Sequence, residues 1–246
     1  MGDAEEIFGA DVSLVHHRSG GAHAAACAPG ILDLLADVRA RDGLVLELGC
    51  GSGPLTAELV AAGHRVIATD ASSAMVELAT ERIGSGAEAI GQLILPRDPL
   101  PEADAIVAVG HPLNYVQSIQ EFDAALISIA ASLRPQGRLA LDVCDLEWGC
   151  RNLSSVGRAG DDWAIIIEFT TPAAERFDRD VTTFLPNQDG SWRREREHHT
   201  SVLVDTARLP ALLEQHGVEA SVRGSFGEER LPHGLRALIG QRRGSP

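Results

Sequence analysis

Residues 44–53 read Leu-Val-Leu-Glu-Leu-Gly-Cys-Gly-Ser-Gly, and their reading decides the fold. Residues 44–48 form a short, mostly apolar run, which suits a strand buried on both faces of a parallel sheet. Glycines follow at alternate positions, Gly49, Gly51 and Gly53. They permit a sharp turn and let a ligand approach backbone atoms that a Cβ would shield. Pro54 fits the first position of a helix, where its missing N–H costs nothing. Strand, glycine turn and helix make the front of a nucleotide-binding βαβ unit.

The dinucleotide fingerprint places a small residue at its sixth position, where this chain has Pro54. An acid, Glu47, also precedes the first glycine by two residues. A carboxylate there repels a pyrophosphate and attracts a cation. The run Glu-x-Gly-x-Gly-x-Gly resembles motif I of class I S-adenosylmethionine (SAM)-dependent methyltransferases. The resemblance implies SAM as cofactor and S-adenosylhomocysteine as product, with Glu47, Gly49, Gly51 and Gly53 around the cationic ligand.

The rest of the chain extends that resemblance. Residues 65–69 read as a second strand ending at Asp70, which stands 23 residues after Glu47. An acid there accepts both ribose hydroxyls, as in dinucleotide sites; the alternative is a cap on the next helix, a task that Ser72 or Ser73 fills equally well. The run from Asp70 through Ala71 to Met75 resembles the Asp-x-Ser-x-x-Met that follows this strand in the family. Met75 then packs on adenine or fills the core. A third strand is expected near residues 88–95, with Asp98 as the acid facing the adenine amino group. After a fourth strand at 103–109, Gly110-His-Pro-Leu-Asn-Tyr115 resembles a turn of small bacterial methyltransferases. In that resemblance Gly110 and Leu113 pass the methionine moiety, while His111, Asn114 and Tyr115 look toward substrate. Asn114 is also readable as a helix cap.

The expected fold is α/β: a Rossmann-like, seven-stranded, mostly parallel sheet with helices on both faces. A helical cap or lid precedes it (1–42), with a break at Pro29-Gly30. Its residues 12–21 are small and polar and read as a mobile loop. They resemble the lid of aminosugar N-methyltransferases, which makes His16, His17 and Arg18 lid or substrate contacts; the alternative is a solvated loop. The SAM-binding half covers 43–144. Residues 161–204 read as an antiparallel insertion after strand five that roofs the active site, with strands at 163–171, 174–185 and 192–204 and a hairpin turn at 187–190. A terminal helix and strands fill 205–240. With no repeat and no linker, the chain reads as one domain.

Composition narrows the function. The net charge is −14, from 21 basic and 35 acidic residues, which argues against a nucleic-acid surface. All 21 basic residues are arginine, so no lysine is present for a Schiff base or a Walker-type phosphate contact. The four cysteines, Cys27, Cys50, Cys144 and Cys150, are scattered and form no metal-binding pattern. No apolar run approaches a membrane span, and residues 1–10 lack the pattern of a signal peptide. The expectation is a cytoplasmic enzyme acting on a small-molecule acceptor, with no nucleic acid, membrane or metal involved. A homodimer is left open.

Methyl transfer needs alignment in a dry pocket, and a base only where the nucleophile keeps its proton. Strand 192–204 carries Glu197-His198-His199, and strand alternation lets only one histidine point inward. His199 is the choice, because Glu-x-His on this strand resembles a pattern in small bacterial methyltransferases. Glu197 then orients the ring or raises its pKa, and both Glu197 and His198 remain candidate substrate contacts. Tyr115 and His111 are the alternative catalytic groups. The competing readings are a SAM-fold enzyme with a macromolecular acceptor or another reaction, and a non-catalytic protein that keeps the fold.

Overall fold

The computed structural model describes residues 7–148 and 155–244. Cys150, the acidic residues 1–6 and the last two residues lie outside them. The opening motif forms strand β1 (Leu44–Leu48), the glycine turn and helix α4 (Pro54–Ala61). Strand β2 (Arg65–Asp70) and helix α5 (Ser73–Ile83) follow. The frame then continues through β3 (Ala89–Gln92), β4 (Ala103–Ala108), α6 (Ile119–Ser132) and β5 (Leu133–Cys144). It ends with α7 (Leu209–Gln215), β10 (Val218–Arg223) and β11 (Leu235–Arg242).

These strands form a seven-stranded sheet in the order β10-β11-β5-β4-β1-β2-β3. Only β11 runs against its neighbours. Alternation along β1 explains the two cores. Val45 joins a cluster with Leu55 and Leu59 of α4. Leu46 and Leu48 join the opposite cluster, with Phe122, Leu126 and Ile129 of α6. Each fully buried side chain of this size contributes about 1.5–3 kcal/mol. Glu47 falls between Leu46 and Leu48 and therefore faces α4, inside the core.

The N-terminal segment differs from its expected form. Residues 12–21 are not a loop: helix α1 (Ala10–Ser19) covers most of them, anchored by Val12 and Val15 one turn apart on its buried face. Gly20 and Gly21, both at positive φ, end it. Helix α2 (Ala22–Leu34) also runs through Pro29 without the expected break. Pro29 sits on the solvent side, and Gly30 lets the backbone at Phe226 and Gly227 come close; a Cβ on Gly30 would lie 2.5 Å from Gly227 N. The short helix α3 (Ala36–Ala40) completes the cap.

The insertion is a separate antiparallel sheet in the order β6-β7-β8-β9. Its strands are β6 (Val156–Ala159), β7 (Ala164–Ala173), β8 (Arg176–Pro186) and β9 (Trp192–Val202). Strand β6 was not expected from the sequence. On β8, Phe177, Val181, Thr183 and Leu185 are at most 3% exposed, whereas Asp178 and Thr182 between them keep 7% and 8% and Arg176 is exposed, so alternation still marks an inner face. The expected hairpin turn is present, with Gly190 at positive φ.

The glycine turn gives a stability test. Gly49 and Gly51 both have positive φ, +67° and +55°. A Cβ on Gly49 would lie 2.3 Å from Pro112 Cβ, whereas one on Gly51 meets nothing within 4 Å. Left-handed backbone costs a non-glycine residue about 1–2 kcal/mol, and overpacking about 1–3 kcal/mol more. Gly49→Ala should therefore lose about 2–5 kcal/mol and Gly51→Ala about 1–2 kcal/mol, read from urea midpoints at unchanged slope. Equal losses would contradict the contact with Pro112.

Candidate functional site

The site lies at the C-terminal edge of the sheet, where β1 separates the strands that follow it on either side. Ligands bind at such a switch point in open α/β sheets. Cys50 N donates to Thr69 O and Gly51 N donates to Asp70 Oδ2 at 2.8 Å, so the glycine turn is sewn to the end of β2. Asp70 Oδ1 accepts from Ser72 N at 2.9 Å. The helix-cap alternative for Asp70 falls to Ser72, whose hydroxyl accepts from Met75 N at the start of α5. Asp70 is thus an acid held at the edge by backbone N–H groups. Burial raises its pKa, and the bonds from Ser72, Gly51 and Ala71 oppose the rise.

Glu47 is 2% exposed and its Oε2 accepts from Thr56 Oγ1 at 2.7 Å. Burial pushes its pKa up to about 7, against the Thr56 bond and with help from the Asp70 charge. Among the described residues no cation pairs with it. Met75 and Leu113 are buried, and Ala71 O accepts from Gln92 Nε2. Asp98, expected at adenine, instead accepts from Ile94 N within its own turn.

The turn after β4 is organised by Asp142 of β5, a fully buried residue that the sequence reading passed over. Its carboxylate accepts from Gly110 N at 3.0 Å and His111 N at 2.6 Å. His23 Nε2 of α2 lies 2.7 Å from the same carboxylate. A lone acid in the apolar run 139–144 was the available signal. Gly110 has φ +96° with open space where a Cβ would stand. Burial drives the His111 pKa down to about 4, and its Nδ1 has no partner. The ring stacks on Tyr115 at 5.5 Å.

Asn114, expected to face substrate, is placed otherwise. It is fully buried; its amide donates to Val202 O at 2.7 Å and its oxygen accepts from Cys144 N at 2.9 Å. It stitches β5 to β9, and Ser118 caps α6 in its stead.

The roof meets the floor through Phe8. Glu197 accepts from Phe8 N and Gly9 N, both at 3.0 Å, and sits 2.7 Å from His199 Nε2. Phe8 O accepts from Ser72 Oγ at 2.6 Å. Glu197 therefore ties down the entry to α1 instead of reaching into the cleft. His199 points inward, 1% exposed, with its ring centroid 4.7 Å from Phe8 and 6.2 Å from Tyr115. His198 lies on the outer face with Asp178 and Asp180, away from the cleft. Arg18 is likewise turned outward, onto Asp162 at 2.8 Å, and His17 meets Arg82. His16 is edge-on to Phe8 at 5.9 Å. Its ring retains accessible surface, yet burial first, then Arg179 and His17, lower its pKa.

Arg179 of β8 was also missed. It lies opposite His199 in the roof, and its guanidinium carbon stands 4.8 Å above the Tyr115 ring. Burial lowers its pKa to about 10. Period-two alternation from Phe177 to Val181 places it inside, so the sequence did hold the signal. Two shallow hollows at the opposite edge of the sheet, lined by Arg134, Arg138, Arg242 and Arg243 among others, contain none of these groups.

Known proteins share this fold. Residues 45–137 match the family model described as a methyltransferase domain. The fold is that of SAM-dependent methyltransferases. A sugar N-methyltransferase from Streptoalloteichus, 18% identical, superposes with TM-score 0.76 over 98% of each chain. A SAM-bound amino pentose methyltransferase from Micromonospora echinaspora, 17% identical, gives TM-score 0.69 over 98% of this chain and 99% of that one. At such identities the likeness is one of fold. An O-methyltransferase of Aspergillus nomiae is 31% identical over 118 residues, 46% of this chain and 52% of its own. The chain spans about half or less of the length of the curated relatives it matches.

The Asp142 cluster has a pH signature. The hydrogen bond to Asp142 raises the His23 pKa, against desolvation, with the Asp142 and Glu229 charges adding to the rise. A raised folded value means that the pair stabilises fully below the ordinary imidazole pKa of about 6.5 and loses this as pH rises through the folded value. A proton NMR titration should place the His23 midpoint above 6.5, and Asp142→Asn should bring it down. An unchanged midpoint in the variant would sever that link.

Proposed function

We propose that this chain is a methyltransferase that moves the methyl group of SAM to a nitrogen or oxygen nucleophile of a small-molecule acceptor. The observation that carries the reading is the floor: a glycine turn, the buried Glu47 and the edge acid Asp70, all at the switch point of the sheet. The residues fit SAM. Open space stands where Gly51 and Gly110 would carry a Cβ, and Glu47 is a buried acid lacking a cation. Glu47 faces the cationic methionine end, and Asp70 accepts from the ribose. Gly49, Gly53, Ala71, Met75 and Leu113 shape the cradle.

SAM supplies a methyl group on a sulfonium, a leaving group that needs no assistance. The protein's task is to align the acceptor and exclude water. Phe8, Tyr115, His111 and His16 wall the cleft, and the roof closes it. His199 is the assigned base, oriented by Glu197; Tyr115 is next, since the depressed pKa of His111 makes it a weak proton acceptor. Both bacterial neighbours are sugar methyltransferases, and this together with the charge of −14 favours a small acceptor over nucleic acid. The free thiols of Cys27, Cys50 and Cys144 suit a cytoplasmic setting.

Tritium transfer from labelled SAM into a metabolite extract, and not into nucleic-acid or protein fractions, is the direct test. Asp70→Ala should weaken S-adenosylhomocysteine binding by roughly ten- to a hundredfold, as a lost charged hydrogen bond of about 1.5–3 kcal/mol dictates. Unchanged affinity by calorimetry would remove Asp70 from the ribose. His199→Ala should lower turnover by about 10²–10⁴-fold at nearly unchanged affinity for S-adenosylhomocysteine. Full activity would pass the base role to Tyr115.

A further inference from the structure

Arg179 has no acidic partner. Among the described residues no carboxylate forms an ion pair or hydrogen bond with it, whereas Arg176, Arg193 and Arg196 of the roof are each paired with an aspartate, and the two further roof arginines, Arg158 and Arg194, are exposed to solvent. Its Nε and Nη2 are sealed from solvent without a hydrogen-bond partner. These two nitrogens form one edge of the guanidinium, the edge that a carboxylate bridges side-on. The side chain retains some accessible surface, so it stands at the cleft wall. The groups around it are Tyr115, under its plane, His199, across the strand pair, and the imidazoles of His16 and His111. None brings a negative charge.

A sealed cation without a counter-charge is costly, and a fold keeps one where a ligand completes it. The floor carries its own acids, Glu47 and Asp70, which suit the cationic cofactor. An unpaired arginine in the roof, across the cleft from them, suits the opposite charge.

We propose that the acceptor bears a carboxylate, gripped side-on by Nε and Nη2 of Arg179 above the Tyr115 ring. This rests on the methyltransferase reading. A phosphate offers the same oxyanion chemistry to a guanidinium, and the test separates the two.

The experiment uses the full chain saturated with S-adenosylhomocysteine, titrated with acetate, acetamide and methyl phosphate by ligand-observed NMR. Acetate should bind at least about tenfold more tightly than acetamide, as a charge-assisted bidentate contact requires. Arg179→Met should erase that preference and leave the affinity for S-adenosylhomocysteine unchanged, and Arg179→Lys should keep a part of it. Without ligand, Arg179→Met should melt no lower than the natural chain, because it removes an unpaired charge; a structural arginine would lower the melting temperature. Acetate and acetamide binding alike, or neither binding, would overturn the proposal. So would methyl phosphate binding tenfold better than acetate. A tenfold loss of cofactor-product affinity in Arg179→Met would also overturn it, by assigning the guanidinium to the cofactor's own carboxylate. Failure of the natural chain to bind S-adenosylhomocysteine at all would instead overturn the functional reading beneath it.

Discussion

The carboxylate of Asp142 holds the cleft together. It stands at the buried end of β5 and receives two successive backbone N–H groups from the turn after β4, together with the ring of His23. Those N–H groups belong to Gly110 and to His111, a non-glycine residue at φ +50°. Backbone in that conformation persists when its surroundings over-determine it. Asp142 does this from below, and the contact of Pro112 with Gly49 does it from the side. The turn beside the ligand is thereby fixed relative to the glycine turn, and the cap helix α2 is fixed to both.

The architecture was legible because its signals are local. An apolar run, alternate glycines and a proline define a strand, a turn and a helix within about a dozen residues, and Asp70 follows at the end of the next strand. The cap was less legible. The polarity of His16, His17 and Arg18 hid the spacing of Val12 and Val15, and Pro29 looked like a break because its solvent-side position cannot be read from sequence. Asn114 misled for a related reason: its partners lie in β5 and β9, 30 and 88 residues away.

Charge in the cleft was legible only in half. An acid just before a glycine turn and an acid at the end of the next strand draw notice, and Glu47 and Asp70 did so. Asp142 and Arg179 each sit in a strand among residues that fully explain the strand, so neither marks itself as functional. Arg179 is one of several arginines in the insertion, and only the folded structure shows that the others are paired or exposed while its own nitrogens are sealed. Its neighbour in the roof, Glu197, was noticed, but as a partner of His199 alone; its bonds to Phe8 and Gly9 span the whole chain and depend on the folded lid.

Phe8 is held at five points: its N–H on Glu197, its carbonyl on Ser72 and on Ser13, and its ring against Tyr115 and His199. One of these points belongs to the floor, two residues from Asp70, and two belong to the roof. A residue clamped from both sides behaves as a rivet. Roof and floor thus share one anchor, and any change in the backbone at Phe8 is felt on both sides of the cleft at once.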